Sequence, residues 1–487
     1  MVRLAKHDVP ADIHYRDFWG KQKLADLTAF GEAWDAAAYR EVTPVRALGL
    51  PFREMTTNAN YTTWPLLVDL LPTYFTGVKT SRDDVVVDID KAALEERMAA
   101  YFDNKVTHEA MAAISRQSME DTSSFAAVAT RERLLKRGMQ PGKFMRFAYR
   151  PFDVRWLFWD AESKLLDRPR PEYQASVFEG NFALSAVQQN RKDYDPPPFH
   201  KELAAIHIIE RSANVFPLLL PPESGDLYAG TTENPKAIGP HVANLSDAGL
   251  AYLNTLGGIA RHPDLFFHAV AVLHAPKYVA ENADALRQDW PRVPLPLDGE
   301  RLAASGALGR QLAALLDPEA PVPGITTGKT RPELKPIAVI SKADNTQLDP
   351  NKDCEVNARW GIAGKGGICM PSVGRSVERP YTPAEAVALG ERTAQLGEST
   401  FDIHLNGVTF WQCVPAAVWQ YTLGGYQVLK KWLSYRETAL LGRPLTLDEV
   451  EYFQKTARRI AAILLLGPAL DENYRLVCAD LYPWPGH

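Results

Sequence analysis

The chain has 487 residues, too many for one hydrophobic core, so we expect two or three domains. Hydrophobic side chains make up 46% and no apolar run is long enough to span a membrane, which points to a cytoplasmic protein without a membrane segment. The net charge of −5 argues against a protein that coats nucleic acid, but it leaves room for a local basic surface.

Residues 1–120 form the first predicted domain, which is mostly helical. Apolar residues recur at three- and four-residue spacing over residues 26–39 and 91–102, the pattern of an amphipathic helix. Residues 85–89 are a short strand candidate, and residues 77–83 are predicted to be a loop.

Residues 121–340 form the second predicted domain, where proline, glycine and aromatic residues become frequent. The patterns predict strands at residues 144–149, 154–159 and 203–210, and helices at residues 250–256 and 265–277. Residues 317–336 are rich in proline, glycine and threonine and are predicted to be a linker or an exposed loop.

Residues 341–487 form the third predicted domain, an α+β lobe. Residues 401–410 alternate around Asn406 and Gly407, which predicts a hairpin with a type I′ turn. Capping boxes begin at Thr382 and Thr446, and the second opens a helix that should stop at Gly467 and Pro468. The whole chain is therefore assigned to the α+β class.

A basic segment at residues 131–170 holds eleven cationic and five anionic side chains, a net charge of +6. Guanidinium groups are planar forks of donors that suit phosphates and guanine edges. The candidate DNA-binding residues here are Arg146, Tyr149, Arg150, Arg155, Arg168 and Arg170. The alternative is a solvated face whose arginines form internal salt bridges.

Two further groups have side chains suited to DNA. One is a run of base-reading types, in which carboxamides match adenine and basic groups match guanine: Gln188, Gln189, Asn190, Arg191 and Lys192. The other is Lys430 and Lys431, with Arg436, on the side of a short helix opposite Trp432, where phosphate contact is expected. An ordinary polar loop and a solvated lysine face are the alternatives.

Catalytic and metal-binding residues are not expected. Residues 195–198 read Asp-Pro-Pro-Pro, which lacks the aromatic fourth residue with which amino-methyltransferases clamp a flipped adenine, so Asp195→Ala should leave function nearly intact. The four cysteines are far apart and no His-x-x-x-His pair occurs, which favours neither a zinc site nor disulfides.

Four segments in this order resemble the C-terminal specificity region of type ISP restriction–modification enzymes. They are residues 77–83 (GVKTSRD), 149–156 (YRPFDVRW), 289–296 (DWPRVPLP) and 424–433 (GGYQVLKKWL). Enzymes of that family join nuclease, helicase, adenine methyltransferase and target recognition in a single chain. The resemblance implies a helical N-terminal coupler that follows the methyltransferase core, and then a two-lobed, mixed α/β target-recognition region.

The function that the resemblance implies is sequence-specific recognition of double-stranded DNA in a restriction–modification or related phage-defence system. The chain would position an adenine-N6 methyltransferase, in cis or as a separate subunit, and would have no catalytic activity by itself. No cofactor is expected in this chain, and S-adenosylmethionine is expected in the partner methyltransferase core. The alternatives are a divergent S-adenosylmethionine-dependent DNA methyltransferase fragment that uses the Asp195 loop, and a protein-interaction scaffold.

Overall fold

The computed structural model describes residues 12–32, 35–190, 193–210, 212–222, 234–364 and 369–485. It confirms the α+β class, because helices of very different length surround several small, mostly antiparallel sheets. Within these ranges no helix combines the length and the apolar character needed to cross a membrane.

The α-helices of the described ranges are α1 (Lys23–Glu32), α2 (Leu67–Leu70), α3 (Asp83–Val86), α4 (Lys91–Tyr101), α5 (His108–Ile114), α6 (Ala127–Arg137), α7 (Pro171–Gln174), α8 (Asp247–Thr255), α9 (His262–Leu273), α10 (Pro276–Leu286), α11 (Gly299–Leu316), α12 (Pro350–Asp353), α13 (Pro383–Leu389), α14 (Thr393–Leu396), α15 (Ala416–Gln420), α16 (Val428–Ser434), α17 (Thr438–Leu441) and α18 (Leu447–Ala479).

The strands of these ranges are β1 (Ile13–Tyr15), β2 (Arg40–Val42), β3 (Phe75–Thr76), β4 (Val87–Asp88), β5 (Phe144–Arg150), β6 (Asp153–Phe158), β7 (Ala183–Ala186), β8 (Phe199–His200), β9 (Leu203–Ala204), β10 (Asn214–Pro217), β11 (Leu219–Leu220), β12 (Ala237–Ile238), β13 (His241–Ala243), β14 (Val339–Lys342), β15 (Gly361–Ala363), β16 (Cys369–Pro371), β17 (Ser376–Pro380), β18 (Ser399–His404), β19 (Thr409–Pro415), β20 (Thr422–Leu423) and β21 (Tyr426–Gln427).

Three four-stranded sheets organise the molecule, in the orders β4-β6-β5-β9, β3-β10-β7-β8 and β14-β19-β18-β17. Strand β9 runs parallel to β5, whereas the other pairs in these sheets are antiparallel. Strands β3 and β9 are short, and each pairs with its neighbouring strand through only two residues. The bridge between Val78 and Ala205 adds a contact just beyond them.

Two clusters of buried side chains lie behind these sheets. One gathers residues from 78 to 215, and the larger one gathers around α9, α11 and α18. The first cluster crosses the predicted boundary at residue 120, and the second includes residues on both sides of residue 340. The three predicted domains stay a prediction, and the buried clusters do not follow their limits.

Elements with strong local patterns are confirmed. Strands β5 and β6, helices α4 and α8, and the capping boxes at Thr382 and Thr446 all occur where the sequence predicts them. In each case the periodic burial of apolar residues or the cap hydrogen bonds act over a few neighbouring residues.

Several shorter predictions are wrong because tertiary contacts override the local pattern. Residues 85–89 divide between α3 and β4, and only the first two residues of the strand predicted at 203–210 pair as β9. The helix predicted at 265–277 ends at Leu273 before α10 begins. The helix predicted at 26–39 is confirmed over residues 26–32, within α1, and residues 36–38 form a separate 3-10 turn. Residues 33 and 34 lie outside the described ranges.

Helix α18 continues through Pro468, although the sequence predicts a stop there. Proline removes one hydrogen bond from the helix, a cost that packing can offset. Beyond it, Leu470, Tyr474 and Val477 are buried, and the Tyr474 hydroxyl donates to Glu281 Oε2 at 3.0 Å. Burial against α10 therefore extends the helix.

The hairpin of β18 and β19 is confirmed, but its type I′ turn is wrong. Neither Asn406 nor Gly407 has the positive φ that this turn needs. Instead, Asn406 Oδ1 accepts from the backbone N–H groups of Val408 and Thr409 at 2.9 and 2.8 Å. The asparagine side chain therefore closes the turn.

Residues 317–336 form an ordered segment that is packed against the helices. Ile325 and Leu334 are buried, and Arg459 of α18 donates to the carbonyl of Ala314 at 2.8 Å and to that of Ala320. The prediction of a linker or exposed loop is wrong because the sequence composition gives no sign of these long-range contacts.

Acidification from pH 7 to pH 5 is expected to lower the free energy of unfolding. Burial lowers the pKa of four histidines from 6.5 to about 4: His200, His262, His268 and His274. Because the unfolded chain protonates these groups first, each costs roughly 2 kcal/mol of stability by pH 5. Burial, with Asp317 and Glu319, raises the pKa of Glu202 to about 7. Protonation of Glu202 favours the folded chain, and the stability gained offsets about the loss caused by one histidine.

Urea unfolding at pH 7, 6 and 5 measures this dependence. His274→Gln removes the contribution of one buried histidine. It should reduce the loss of unfolding free energy between pH 7 and pH 5 by about a third. The control His14→Gln replaces an exposed histidine and should leave the curve unchanged. Stability that is constant or rises on acidification would contradict the assignment of buried, neutral histidines.

Candidate nucleic-acid interface

Residues 203–210, which begin with β9, lie where three of the four family-like segments meet. The N–H of Val78 donates to the carbonyl of Ala204 at 2.9 Å, which brings in residues 77–83. Strand β9 pairs with β5, which leads into residues 149–156. The N–H of Glu210 donates to the carbonyl of Gly424 at 2.7 Å, which brings in residues 424–433.

Tyr149 packs at the centre of this meeting point. Its hydroxyl donates to Asp83 Oδ2 at 2.7 Å, and its ring lies edge-on to that of Tyr435 with centroids 5.5 Å apart. The Arg155 guanidinium lies 3.9 Å from the Tyr149 centroid and 4.2 Å from the Tyr435 centroid. Burial, together with the Asp83 charge, raises the pKa of Tyr149, so its hydroxyl stays a donor.

A buried carboxylate holds the arginines beside these rings. Asp153 Oδ2 lies 2.7 Å from Arg155 and Asp153 Oδ1 lies 3.0 Å from Arg436. Burial alone would raise the pKa of Asp153, but the two guanidinium groups hold it below its ordinary value. We call Tyr149, Asp153, Arg155, Tyr435 and Arg436 the central junction.

The central junction changes the roles expected for two arginines. Arg436, which the helical pattern places on an exposed face with Lys430 and Lys431, is buried, and that placement is wrong. Its charge faces Asp153 because the chain turns inward after α16. Arg155 is also buried, so a phosphate contact by this residue, which stays a prediction, would have to disrupt the ion pair.

The other candidates in the basic segment are mostly engaged within the protein. Arg146 forms an ion pair with Glu319, and the Arg150 guanidinium lies 4.2 Å from the Tyr149 centroid. Arg170 is half-buried, whereas Arg168 is exposed. The alternative of internal salt bridges therefore describes much of the segment, and its net charge overstates the basic surface that remains.

An open cleft of about 380 Å³ lies beside residues 203–210. We call it the His207 cleft, and its lining residues are Val187, Gln188, Gln189, His207, Ser212 and Asn214. These side chains are mostly polar, and Gln188, Gln189, His207 and Ser212 are exposed. The cleft combines amide, hydroxyl and imidazole groups, which can both donate and accept hydrogen bonds.

The three carboxamides at residues 188–190, of which Gln188 and Gln189 line this cleft, are not equivalent. Gln188 Nε2 donates to Asp289 Oδ1 at 3.0 Å, and Asn190 Nδ2 donates to the Leu286 carbonyl at 2.8 Å. Within the described ranges, Gln189 forms no side-chain hydrogen bond and stays exposed at the cleft. Gln189 is thus the carboxamide best placed for a ligand.

Tyr426, in residues 424–433, contacts the backbone of His207 beside the cleft, and two basic residues lie near its ring. The Tyr426 hydroxyl donates to the His207 carbonyl at 3.1 Å, and the Arg150 guanidinium lies 5.5 Å from the Tyr426 centroid. Lys431 Nζ lies 5.7 Å from the Tyr426 centroid, while Lys430 is half-buried. Partial desolvation of the ring, then the nearby Arg150 charge, lowers the pKa of His207, which keeps the imidazole neutral.

Two predicted contact residues, Arg191 and Lys192, lie outside the described ranges. Sequence patterns missed His207, Ser212 and Asn214, because these come from short, irregular segments. Only their proximity in the fold identifies them. In the part of the chain that the structure describes, no group of three His, Cys, Asp or Glu side chains could hold a metal ion.

Asp195 holds the glycine turn in place. Its carboxylate accepts from the Gly425 N–H at 2.6 Å and from Thr422 Oγ1 at 2.7 Å. Gly424 has a φ of +62°, and a Cβ there would lie 2.8 Å from the Ile208 carbonyl oxygen. The turn thus needs glycine, and Asp195 has a structural role. The small effect of Asp195→Ala on function stays a prediction.

Comparison with known proteins finds one matching family and several solved structures of similar fold, three of which are described below. The family model of the type ISP C-terminal specificity domain matches residues 69–462. None of the curated proteins matches the chain.

The solved structures have similar folds at low sequence identity. They are a nuclease-deletion mutant of the type ISP restriction–modification enzyme LlaGI with a DNA substrate mimic (TM-score 0.53, 15% identity), the ATP-dependent type ISP enzyme LlaBIII bound to DNA (0.55, 15%) and a DrdV–DNA complex (0.54, 17%). The matches cover 99%, 96% and 97% of this chain but 40%, 28% and 44% of those chains. This chain therefore spans less than half the length of each.

Asp153→Asn should destabilise the protein strongly. The change leaves the buried Arg155 without its carboxylate partner and leaves Arg436 with only the more distant Glu449, at 3.9 Å. This loss is expected to cost about 3–5 kcal/mol in the free energy of unfolding. Urea denaturation measures the effect, and Arg168→Ala, at an exposed arginine, is the control with a change near zero. Equal stability of the two variants would contradict a junction that depends on charge.

Asp195→Ala should lower the free energy of unfolding by about 1.5–3 kcal/mol, because charge-assisted hydrogen bonds to the turn are lost. The matched control is Asp193→Ala, whose carboxylate is exposed and 3.6 Å from Arg287. Exposed ion pairs contribute about 0–1 kcal/mol. A larger loss for the Asp193 variant would refute the structural role of Asp195.

Proposed function

Because the chain belongs to the type ISP C-terminal specificity family, we propose that it recognises double-stranded DNA targets for a restriction–modification system. The observation that carries the proposal is the His207 cleft, which lies beside the meeting point of three family-like segments. The cleft presents an exposed carboxamide, Gln189, and the Tyr426 hydroxyl donates to the carbonyl of its lining residue His207.

The chemistry of the cleft suits base recognition. A carboxamide offers one donor and one acceptor, which match the exposed edge of adenine in the major groove. Gln189 is the residue that we assign to this contact. The amide groups of Gln188, which lines the cleft, and of Asn190, which follows it in the chain, are already bonded to the protein and are left out of this contact.

Phosphate contacts fix the position of a protein on a duplex without reading its sequence. We assign them to Arg168, Lys430 and Lys431, which retain some exposure to solvent. The buried Arg155 is left out of this set because its guanidinium faces Asp153. This division assigns base reading and phosphate binding to different side chains.

The partner in this proposal is an adenine-N6 methyltransferase, in the same polypeptide or as a separate subunit. The solved relatives are longer proteins, and two are described as type ISP restriction–modification enzymes. S-adenosylmethionine would bind to that methyltransferase. The hydrogen bonds of Asp195 to the glycine turn support the assignment of catalysis to the methyltransferase, because a catalytic loop would keep its carboxylate for the substrate.

Gln189→Ala should weaken binding to the cognate duplex by roughly 1–3 kcal/mol and leave binding to random duplexes unchanged, because one base contact is lost. Fluorescence anisotropy with duplexes enriched from a random library measures both affinities. The control is Gln140→Ala, at another exposed glutamine. Equal weakening on both DNAs, or none, would remove Gln189 from the base-reading role.

Lys430→Ala should weaken binding to cognate and random duplexes alike, because a phosphate contact carries no sequence information. The slope of log affinity against log salt concentration should decrease by about one unit. Anisotropy titrations at four salt concentrations give the slope, with Lys352→Ala, at an exposed lysine of α12, as the control. An unchanged slope would place Lys430 away from DNA.

A further inference from the structure

Strands β15 and β16 form a two-stranded antiparallel ribbon beside α16. In this register Ile362 lies opposite Met370, whereas Gly361 pairs with Pro371 and Ala363 with Cys369. Because side chains alternate across a strand, Ile362 and Met370 share one face of the ribbon.

The opposite face is the one that packs onto the protein. Cys369 Sγ lies 2.9 Å from the carbonyl oxygen of Ser434 at the end of α16. A Cβ on Gly361 would lie 1.9 Å from the same oxygen, so only glycine allows this approach. The ribbon is therefore attached along one face, and its other face points away from α16.

That outer face is apolar and exposed. Ile362 is 48% exposed and Met370 is 51% exposed, while Val373, just past the ribbon, is 83% exposed. Paired large apolar side chains on a free sheet face are unusual for a protein surface in contact with water alone, and they indicate a binding partner.

The charge around the ribbon indicates what this partner is. No acidic residue occurs between Val356 and Val377. Arg359 and Arg375 are exposed at the base of the ribbon, and within the described ranges neither guanidinium forms an ion pair. An apolar face with two exposed arginines at its base complements the bases and phosphates of DNA.

The base of the ribbon holds these arginines close to the apolar face. The Gly374 N–H donates to the Arg359 carbonyl at 3.0 Å, and the Ser372 N–H donates to the Trp360 carbonyl at 2.7 Å. The Glu437 carboxylate accepts from the Arg359 and Trp360 N–H groups at 3.1 and 2.7 Å. The backbone beneath the ribbon is thus fixed by hydrogen bonds.

We propose that the ribbon of β15 and β16 enters the major groove of the DNA duplex and that Ile362 and Met370 contact thymine methyl groups. This inference rests on the proposed recognition of duplex DNA and adds a contact region separate from the His207 cleft. A major groove admits a two-stranded ribbon, and the thymine methyl is the apolar group displayed there. Arg359 and Arg375, at the base of the ribbon, bind neighbouring phosphates.

The test uses the full chain and duplexes that the wild-type protein enriches from a random library, prepared with thymine or with uracil in its place. The wild-type chain should bind the thymine duplex several-fold more tightly. The double variant Ile362→Ser with Met370→Ser should lose about tenfold affinity for that duplex and should not distinguish the two duplexes. Its salt dependence should stay unchanged, because no phosphate contact is lost.

The control is Val387→Ser on α13, which replaces a valine that is 84% exposed and should behave like the wild type. If the double variant unfolds at lower urea concentration, Ile362→Thr alone, which keeps a β-branched side chain, gives the same comparison. It should reduce the preference for thymine over uracil.

Each other outcome overturns the inference in a recognisable way. A wild-type chain that enriches no duplex overturns both the ribbon contact and the proposed function. If the wild-type chain binds DNA and the double variant binds it equally well, the ribbon contact alone is overturned. The exposed apolar face would then be assigned to a protein partner. An equal loss on thymine and uracil duplexes, or a changed salt slope in the double variant, overturns the thymine contact.

Discussion

The ion pairs of one buried carboxylate hold the site together. Asp153 binds Arg155, two residues along the same strand, and Arg436, which is 283 residues further along the chain. Because desolvated charges are costly when unpaired, this arrangement favours the one packing in which both arginines reach the same carboxylate. Tyr149 and Tyr435 pack against Arg155 and exclude water from the pairs.

Arg150 links the His207 cleft to that junction, because its guanidinium lies 4.2 Å from the Tyr149 centroid and 5.5 Å from the Tyr426 centroid. Tyr426, just before α16, donates to the His207 carbonyl. The glycine turn, held by Asp195, completes the approach of residues 424–433 to residues 203–210. A site that reads bases needs such rigid support, because hydrogen-bond recognition tolerates little displacement.

Sequence patterns predicted the parts of the fold that depend on neighbouring residues, including β5, β6, α4 and the capped start of α18. They failed where a distant contact decides the outcome. Helix α18 passes Pro468 because later residues are buried against other helices, and Arg436 turns inward because Asp153 lies there. The candidate site shows the same division. The carboxamide run pointed to Gln189, but no local pattern marked His207 or Asn214.

Hydrogen exchange of the full chain with and without a bound duplex tests most directly whether the His207 cleft is the DNA-binding site. The account predicts slower exchange on DNA binding at residues 185–190, 207–214 and 424–431. It predicts no change in α13, whose Glu385 pairs with Arg379 of β17. Slower exchange elsewhere, with these three segments unaffected at saturating DNA, would contradict it.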